Sequence, residues 1–176
     1  MADAAELRGG VGRMTMRWGG LAAAALLLAG CGFHLRGAAV LPKGVDRIHV
    51  QAANPDLTDE LTLFLQDGGA KVLPSAKGAD AVLAVNDERF DRRVLTVDPK
   101  TGKAREYQLS YSLNFALRGK NGTMLVAPQQ VKLDRDYVFD ADQVLGSSAQ
   151  ESTLRTEMRR DAVQQILRRL EAALHK

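Results

Sequence analysis

The stretch Glu106-Tyr107-Gln108-Leu109-Ser110-Tyr111-Ser112-Leu113-Asn114-Phe115-Ala116-Leu117-Arg118 alternates without a break. Tyr107, Leu109, Tyr111, Leu113, Phe115 and Leu117 fall on one side, and Gln108, Ser110, Ser112 and Asn114 on the other. Successive side chains of an extended backbone point to opposite faces, so this pattern is a long strand with one dry and one wet face. Such a strand needs a sheet to belong to and a cover for its dry face, and the flanking sequence supplies both.

Downstream, Gly119-Lys120-Asn121-Gly122 contains the Asn-Gly pair that favours a tight hairpin. Beyond it Gln130 to Asp140 alternates again, with Val131, Leu133, Tyr137 and Phe139 in register. Arg135 interrupts that face, which predicts a strand emerging from the sheet's cover. Upstream, Ala79 to Phe90 reads as another strand, and Asp98-Pro99-Lys100-Thr101-Gly102-Lys103 as the hairpin tip between the two. Val45 to Ala52 is a half-buried strand, with Ile48, Val50 and Ala52 opposite Arg47, His49 and Gln51.

Two segments carry helical spacing. Asn54-Pro55-Asp56 starts the first, with Asp56 or Thr58 expected as cap, and Leu57, Leu61, Phe64 and Leu65 form its stripe before Gly68-Gly69 end it. A short apolar piece, Lys71 to Leu73, then leads to a turn. Ser148-Ala149-Gln150-Glu151 has a capping-box pattern and opens an amphipathic helix of roughly 25 residues through Leu154, Met158, Ala162, Ile166 and Leu170. The predicted order is β-α-β-β-β-α. It implies an α+β fold, one four-stranded mixed sheet with both helices packed on one face.

Bulk properties agree with a globular domain: 176 residues, 45% hydrophobic, 26% charged. Aromatic residues are only 5%, so Leu, Val, Ala and Ile must build the core. A net charge of +3 is too small to make nucleic acid the default partner. The chain has one cysteine, Cys31, so no intrachain disulfide can form. That cysteine directly follows Arg17, an apolar run from Leu21 to Leu28, and the small residues Ala29 and Gly30. A basic end, a short apolar segment and a narrow cleavage site are the layout of a secretory signal, too short to span a membrane. Leu28-Ala29-Gly30-Cys31 reads as a lipobox, so Cys31 is the expected lipidation site and the membrane is reached through acyl chains. The expected organisation is a signal peptide over 1–30, a lipidated tether over 31–44 and a single α+β domain over 45–176. Met1, Met14 and Met16 are all compatible starts. Gly32, where similar lipoproteins kept at the inner membrane carry Asp, implies the outer membrane, on its periplasmic side.

The sequence offers no catalytic constellation. His34, His49 and His175 lack metal-site spacing, and the only cysteine is assigned to lipid. There is no G-x-S-x-G elbow and no phosphate-binding glycine loop. Asp134, Asp136, Asp140 and Asp142 lack the glycine of a calcium loop. The expectation is therefore a protein that is not an enzyme and holds no metal or cofactor.

Cys31-Gly32-Phe33-His34-Leu35-Arg36-Gly37 resembles the start of mature proteins of the LPS-assembly lipoprotein family, LptE. Glu106-Tyr107-Gln108-Leu109, opening a long strand after a hairpin, is similar to that family too, and the element order matches over residues 31–176. Unlike some members, this chain has no long polar tail after its last helix. The resemblance implies a plug seated in the outer-membrane β-barrel LptD as a heterodimer, assisting its assembly and the delivery of lipopolysaccharide to the outer leaflet. An auxiliary lipoprotein of another outer-membrane lipid-transport complex is the alternative. A plug must be polar outside, and Arg47, His49 and Gln51, the Gln108 to Asn114 face, and Arg155, Arg159 and Arg168 offer such surfaces. Lipopolysaccharide carries phosphates, for which Lys and Arg are the natural partners. The basic hairpin of Arg92, Arg93, Lys100, Lys103 and Arg105 is the expected contact.

Overall fold

A computed structural model describes residues 45–139 and 144–174, with side chains over 45–139 and 146–174. The signal peptide, Cys31 and the tether lie outside the described residues. The elements are β1 (Arg47–Gln51), α1 (Pro55–Asp67), β2 (Lys71–Leu73), β3 (Ala81–Val97), β4 (Ala104–Gly119), β5 (Met124–Val138) and α2 (Val144–Leu174). One sheet runs β2-β1-β3-β4-β5. β1 is parallel to both its neighbours, while β3, β4 and β5 form an antiparallel meander. The fold is the expected mixed α+β arrangement, with five strands where alternation counted four. The extra strand is the apolar piece Lys71–Leu73, three residues that pair with Arg47–His49. It is too short to show a period, and it forms because α1 returns the chain alongside β1, where the Lys71 amide reaches Asp46 O at 2.8 Å.

Both helices cover the same face. Leu57, Leu61 and Leu65 of α1 and Met158, Ala162, Val163, Ile166 and Leu170 of α2 are fully buried against Ile48, Leu83, Leu109, Tyr111, Leu113, Phe115, Leu117 and Val131. The dry side of β4 is thus the floor of the core, as its alternation requires. Its wet side stays uncovered by any described element and is laced by side-chain bonds, Gln108 Nε2 donating to Asp136 at 2.8 Å and Ser110 Oγ to Asp134.

Four local expectations need correction. Asn54 caps α1, not Asp56 or Thr58: its side chain accepts from the Asp56 amide at 3.0 Å, and Pro55 fills the first helical position, where no N–H is needed. α2 begins at Val144, so Ser148 and Glu151 lie inside the helix and form no capping box. Arg135 does not mark a strand leaving its cover: it faces α2, whose Asp161 accepts from it at 2.6 Å. Finally, β3 runs on to Val97 rather than stopping at Phe90.

That last difference has a geometric cause. Ala81, Leu83 and Val85 bury odd-numbered positions of β3, but Phe90, Arg92 and Val94 oppose the core-facing Tyr111, Leu109 and Tyr107. One residue is inserted between Asn86, opposite Asn114, and Arg89, opposite Ser112. Asp87 absorbs it at φ 55°, a left-handed conformation that Asp tolerates better than most residues, and its carboxylate accepts from Asn114 Nδ2 at 2.8 Å. The alternation changes phase there, so a single period cannot follow the strand through.

Candidate functional site

The β3–β4 hairpin is closed by one carboxylate. Asp98 Oδ1 accepts from the Lys100 and Thr101 amides, each at 2.9 Å, and from Thr101 Oγ1 at 3.1 Å. Gly102 completes the turn at φ 68°, where a side chain would be strained. Backbone bonds from Thr101 and Lys100 hold the Asp98 carboxyl below its ordinary pKa. The carboxylate is spent on the turn, and the side chains of Lys100, Lys103 and Arg105 stand exposed around it. Among the described residues none of the three makes an ion pair.

The arm leading to this tip is clamped to α2. Glu151 accepts from Arg92 Nη1 at 2.8 Å, from the Tyr137 hydroxyl at 2.7 Å and from Arg155 Nη2 at 2.7 Å. Burial pushes the Glu151 carboxyl up, but the bonds from Tyr137, Arg155 and Arg92 outweigh it and hold the group below its usual value. Arg92 also lies over the Tyr107 ring, 4.6 Å from its centre, and Tyr107 stacks on Tyr137 at 5.8 Å. One layer inward, Phe90 stacks on Tyr111 at 4.2 Å, while the Tyr111 hydroxyl donates to Glu88 at 2.8 Å. Burial and that bond raise the Tyr111 phenol well above its ordinary value. Arg159 joins Glu88 at 3.4 Å and Asp56 of α1 at 3.3 Å, tying both helices to the strand.

The expected basic cluster therefore divides. Lys100, Lys103 and Arg105 gather at the tip. Arg93 faces the uncovered side of the sheet, opposite Gln108. Arg92 turns the other way into the clamp, where its charge is answered by Glu151. Sequence reading missed Glu151 and Tyr137 as partners of Arg92: the strand was expected to stop at Phe90, so nothing marked Arg92 as lying on the side toward α2. His49 is no ligand: its Nδ1 lies 3.0 Å from Leu73 O between strands. Among the described residues no group of acids and histidines could hold a metal, and no helix is long and apolar enough to cross a membrane.

The tip also lies far from the start of the described chain. Val45 and Arg47 sit at the opposite end of the sheet, where Arg47 pairs with Asp80 at 2.8 Å and the Lys120 amide bonds Asp80 O. The 16 residues of β4 separate the two ends by about 50 Å.

A family model described as LptE, Lipopolysaccharide-assembly, matches residues 45–170. The LPS-assembly lipoprotein LptE of Photorhabdus laumondii is 27% identical over 165 residues, covering 85% of this chain and 82% of its own. Its counterpart in Pectobacterium atrosepticum is 28% identical over 158 residues, with the same coverage, 85% and 82%. Among solved structures, lipoprotein B of Nitrosomonas europaea superposes with a TM-score of 0.66 at 30% identity, over 80% of this chain and 91% of its own. Rare lipoprotein B of Shewanella oneidensis gives 0.62 at 25% identity, over 72% and 94%.

Proposed function

The chain belongs to the LptE family of lipopolysaccharide-assembly lipoproteins, and on that premise we propose that it plugs the β-barrel LptD, helps assemble it and assists delivery of lipopolysaccharide to the outer leaflet. It is held on the periplasmic side of the outer membrane through lipid on Cys31, and its role is structural and binding rather than catalytic. The observation that carries this reading is the separation of about 50 Å between the entry of the chain into the sheet and the exposed basic tip. A bilayer with its headgroups is about 40–45 Å thick. A domain of that length, anchored at one end and seated upright in a barrel, presents Lys100, Lys103 and Arg105 at the level of the opposite leaflet. The uncovered Gln108 to Asn114 face suits a polar lumen.

Full-length tagged protein, expressed in a Gram-negative host and purified from detergent-solubilised outer membrane, should bring down an equimolar β-barrel partner. Recovery of the protein alone, or with a different lipid-transport complex, would refute the plug reading. Reversing the tip charges (Lys100→Glu, Lys103→Glu, Arg105→Glu) should weaken binding to purified lipopolysaccharide by about tenfold, the equivalent of roughly 1.4 kcal/mol. Arg92→Glu should act differently, lowering stability, because its partner is Glu151. Unchanged lipopolysaccharide binding in the triple variant removes the tip from the function.

A further inference from the structure

Beyond Asn86, β3 has a strand on one side only: among the described residues β1 pairs with Ala81–Ala84 and goes no further, while β4 accompanies β3 to Val97. An open edge carries a row of unpaired N–H and C=O groups, which proteins blunt with charge, proline or bulges. Here Arg89–Val94 runs regularly against Ser112–Tyr107 and contains no proline. Three of the six exposed large apolar side chains among the described residues lie along this stretch, Val94, Leu95 and Val97, at 49%, 39% and 55% accessibility. On the face away from the helices Arg89 and Arg93 flank Asp91, and among the described residues none of the three has an ion-pair partner. Arg92, on the other face, is answered by Glu151. The free edge thus carries two uncompensated cations around one anion.

We propose that this edge is extended by a strand from the barrel partner, an inward-folded loop segment that sets acidic residues opposite Arg89 and Arg93. The inference rests on the plug reading, which creates the requirement. With the lumen filled by the domain, the open side of Asp87–Val97 is shut away from bulk water, and unpaired amides and carbonyls there are costly. The barrel wall cannot satisfy them, because each strand of a closed barrel is already paired on both sides and offers no edge. Only a segment of the barrel chain outside its strands has backbone groups to spare. Added to β3, such a segment supplies them, and its side chains alternate between the two faces of the sheet. The outward sites of β3 run cation, anion, cation over Arg89, Asp91 and Arg93, so the matching segment carries an acid at each outer site. Its intervening residues meet Phe90 and Val94 on the face toward the helices and are apolar. Lysine or arginine at the two outer sites would be rejected by like charge.

Full-length tagged protein with a photo-crosslinking amino acid at Arg89, Asp91 or Arg93 in turn is irradiated in cells, purified in detergent and mapped by mass spectrometry. The expected result is capture of one short barrel segment, with the crosslinked site moving steadily along it as the probe moves along β3. The probe at Asp91 in an Arg89→Glu, Arg93→Glu background should capture that segment about tenfold less, two opposite-charge pairs having become like-charge pairs. All three side chains are exposed, and circular dichroism of each variant checks that it folds. Unmodified protein that brings down no barrel would sink the plug reading and this inference with it. A barrel that co-purifies while the probes capture none of it overturns the edge contact alone. So do sites scattered over the wall, capture of a second copy or of residues 32–44 of the same chain, or equal capture after charge reversal.

Discussion

Glu151 shows how one side chain fixes a distant arm. It is 59 residues from Arg92, yet the two meet at 2.8 Å with the Glu151 side chain only 16% accessible. Glu151 is the half-buried acceptor on which Arg92, Arg155 and Tyr137 converge, and its arginine partners stay open to solvent. Glu151→Gln, which removes the charge, should thus cost about 1 kcal/mol at neutral pH by denaturant unfolding. The sign of its pH dependence follows from the lowered carboxyl. A carboxylate whose folded pKa lies below its unfolded value adds stability that is complete above the unfolded value, about 4.3, and disappears as pH falls through the folded one. The gap between wild type and Glu151→Gln should therefore be constant near neutrality and close below about pH 4. A gap that persisted undiminished into acid would mean that the cost is packing and not charge. Neither this network nor the Arg135–Asp161 pair was legible in the sequence, because polar pairing between remote segments leaves no period. What the sequence did carry was one anomaly, Arg135 interrupting the apolar face of its strand.

At the level of elements, β4 and the stripes of α1 and α2 could be read directly, since each buries one face over its whole length. β3 could be read only up to its inserted residue. From Asp91 to Val97 both faces are exposed, so neither periodicity nor hydrophobicity distinguishes strand from loop, and pairing with β4 keeps the segment extended. The insertion predicts a specific tolerance. Asp87→Gly should be nearly neutral, whereas Asp87→Val, β-branched and held at φ 55°, should destabilise by about 1–2 kcal/mol. Equal thermal shifts for the two would show that the backbone relaxes there. β2 lay below the resolution of pattern reading for a different reason: three residues cannot display an alternation.

For the whole molecule, the family motif at Cys31 and the strand pattern pointed the same way as the fold now described, although the tether that carries that motif lies outside the described residues. The basic hairpin was legible as a cluster of charge, but only the register separates the three side chains that face outward from the arginine that faces in. The seat of β1 adds a consequence for kinetics. β3, β4 and β5 are joined by short turns and can zip together from local contacts alone. β1 must instead wait for Lys71–Leu73 on one side and for Ala81–Ala84, more than thirty residues later, on the other before both parallel pairings are complete. Pairings that close long loops form late. In stopped-flow experiments Leu113→Ala should mainly slow refolding, while Val50→Ala should leave refolding nearly unchanged and speed unfolding. The first of the described strands in chain order is then among the last to be seated, and the domain folds from its middle outward.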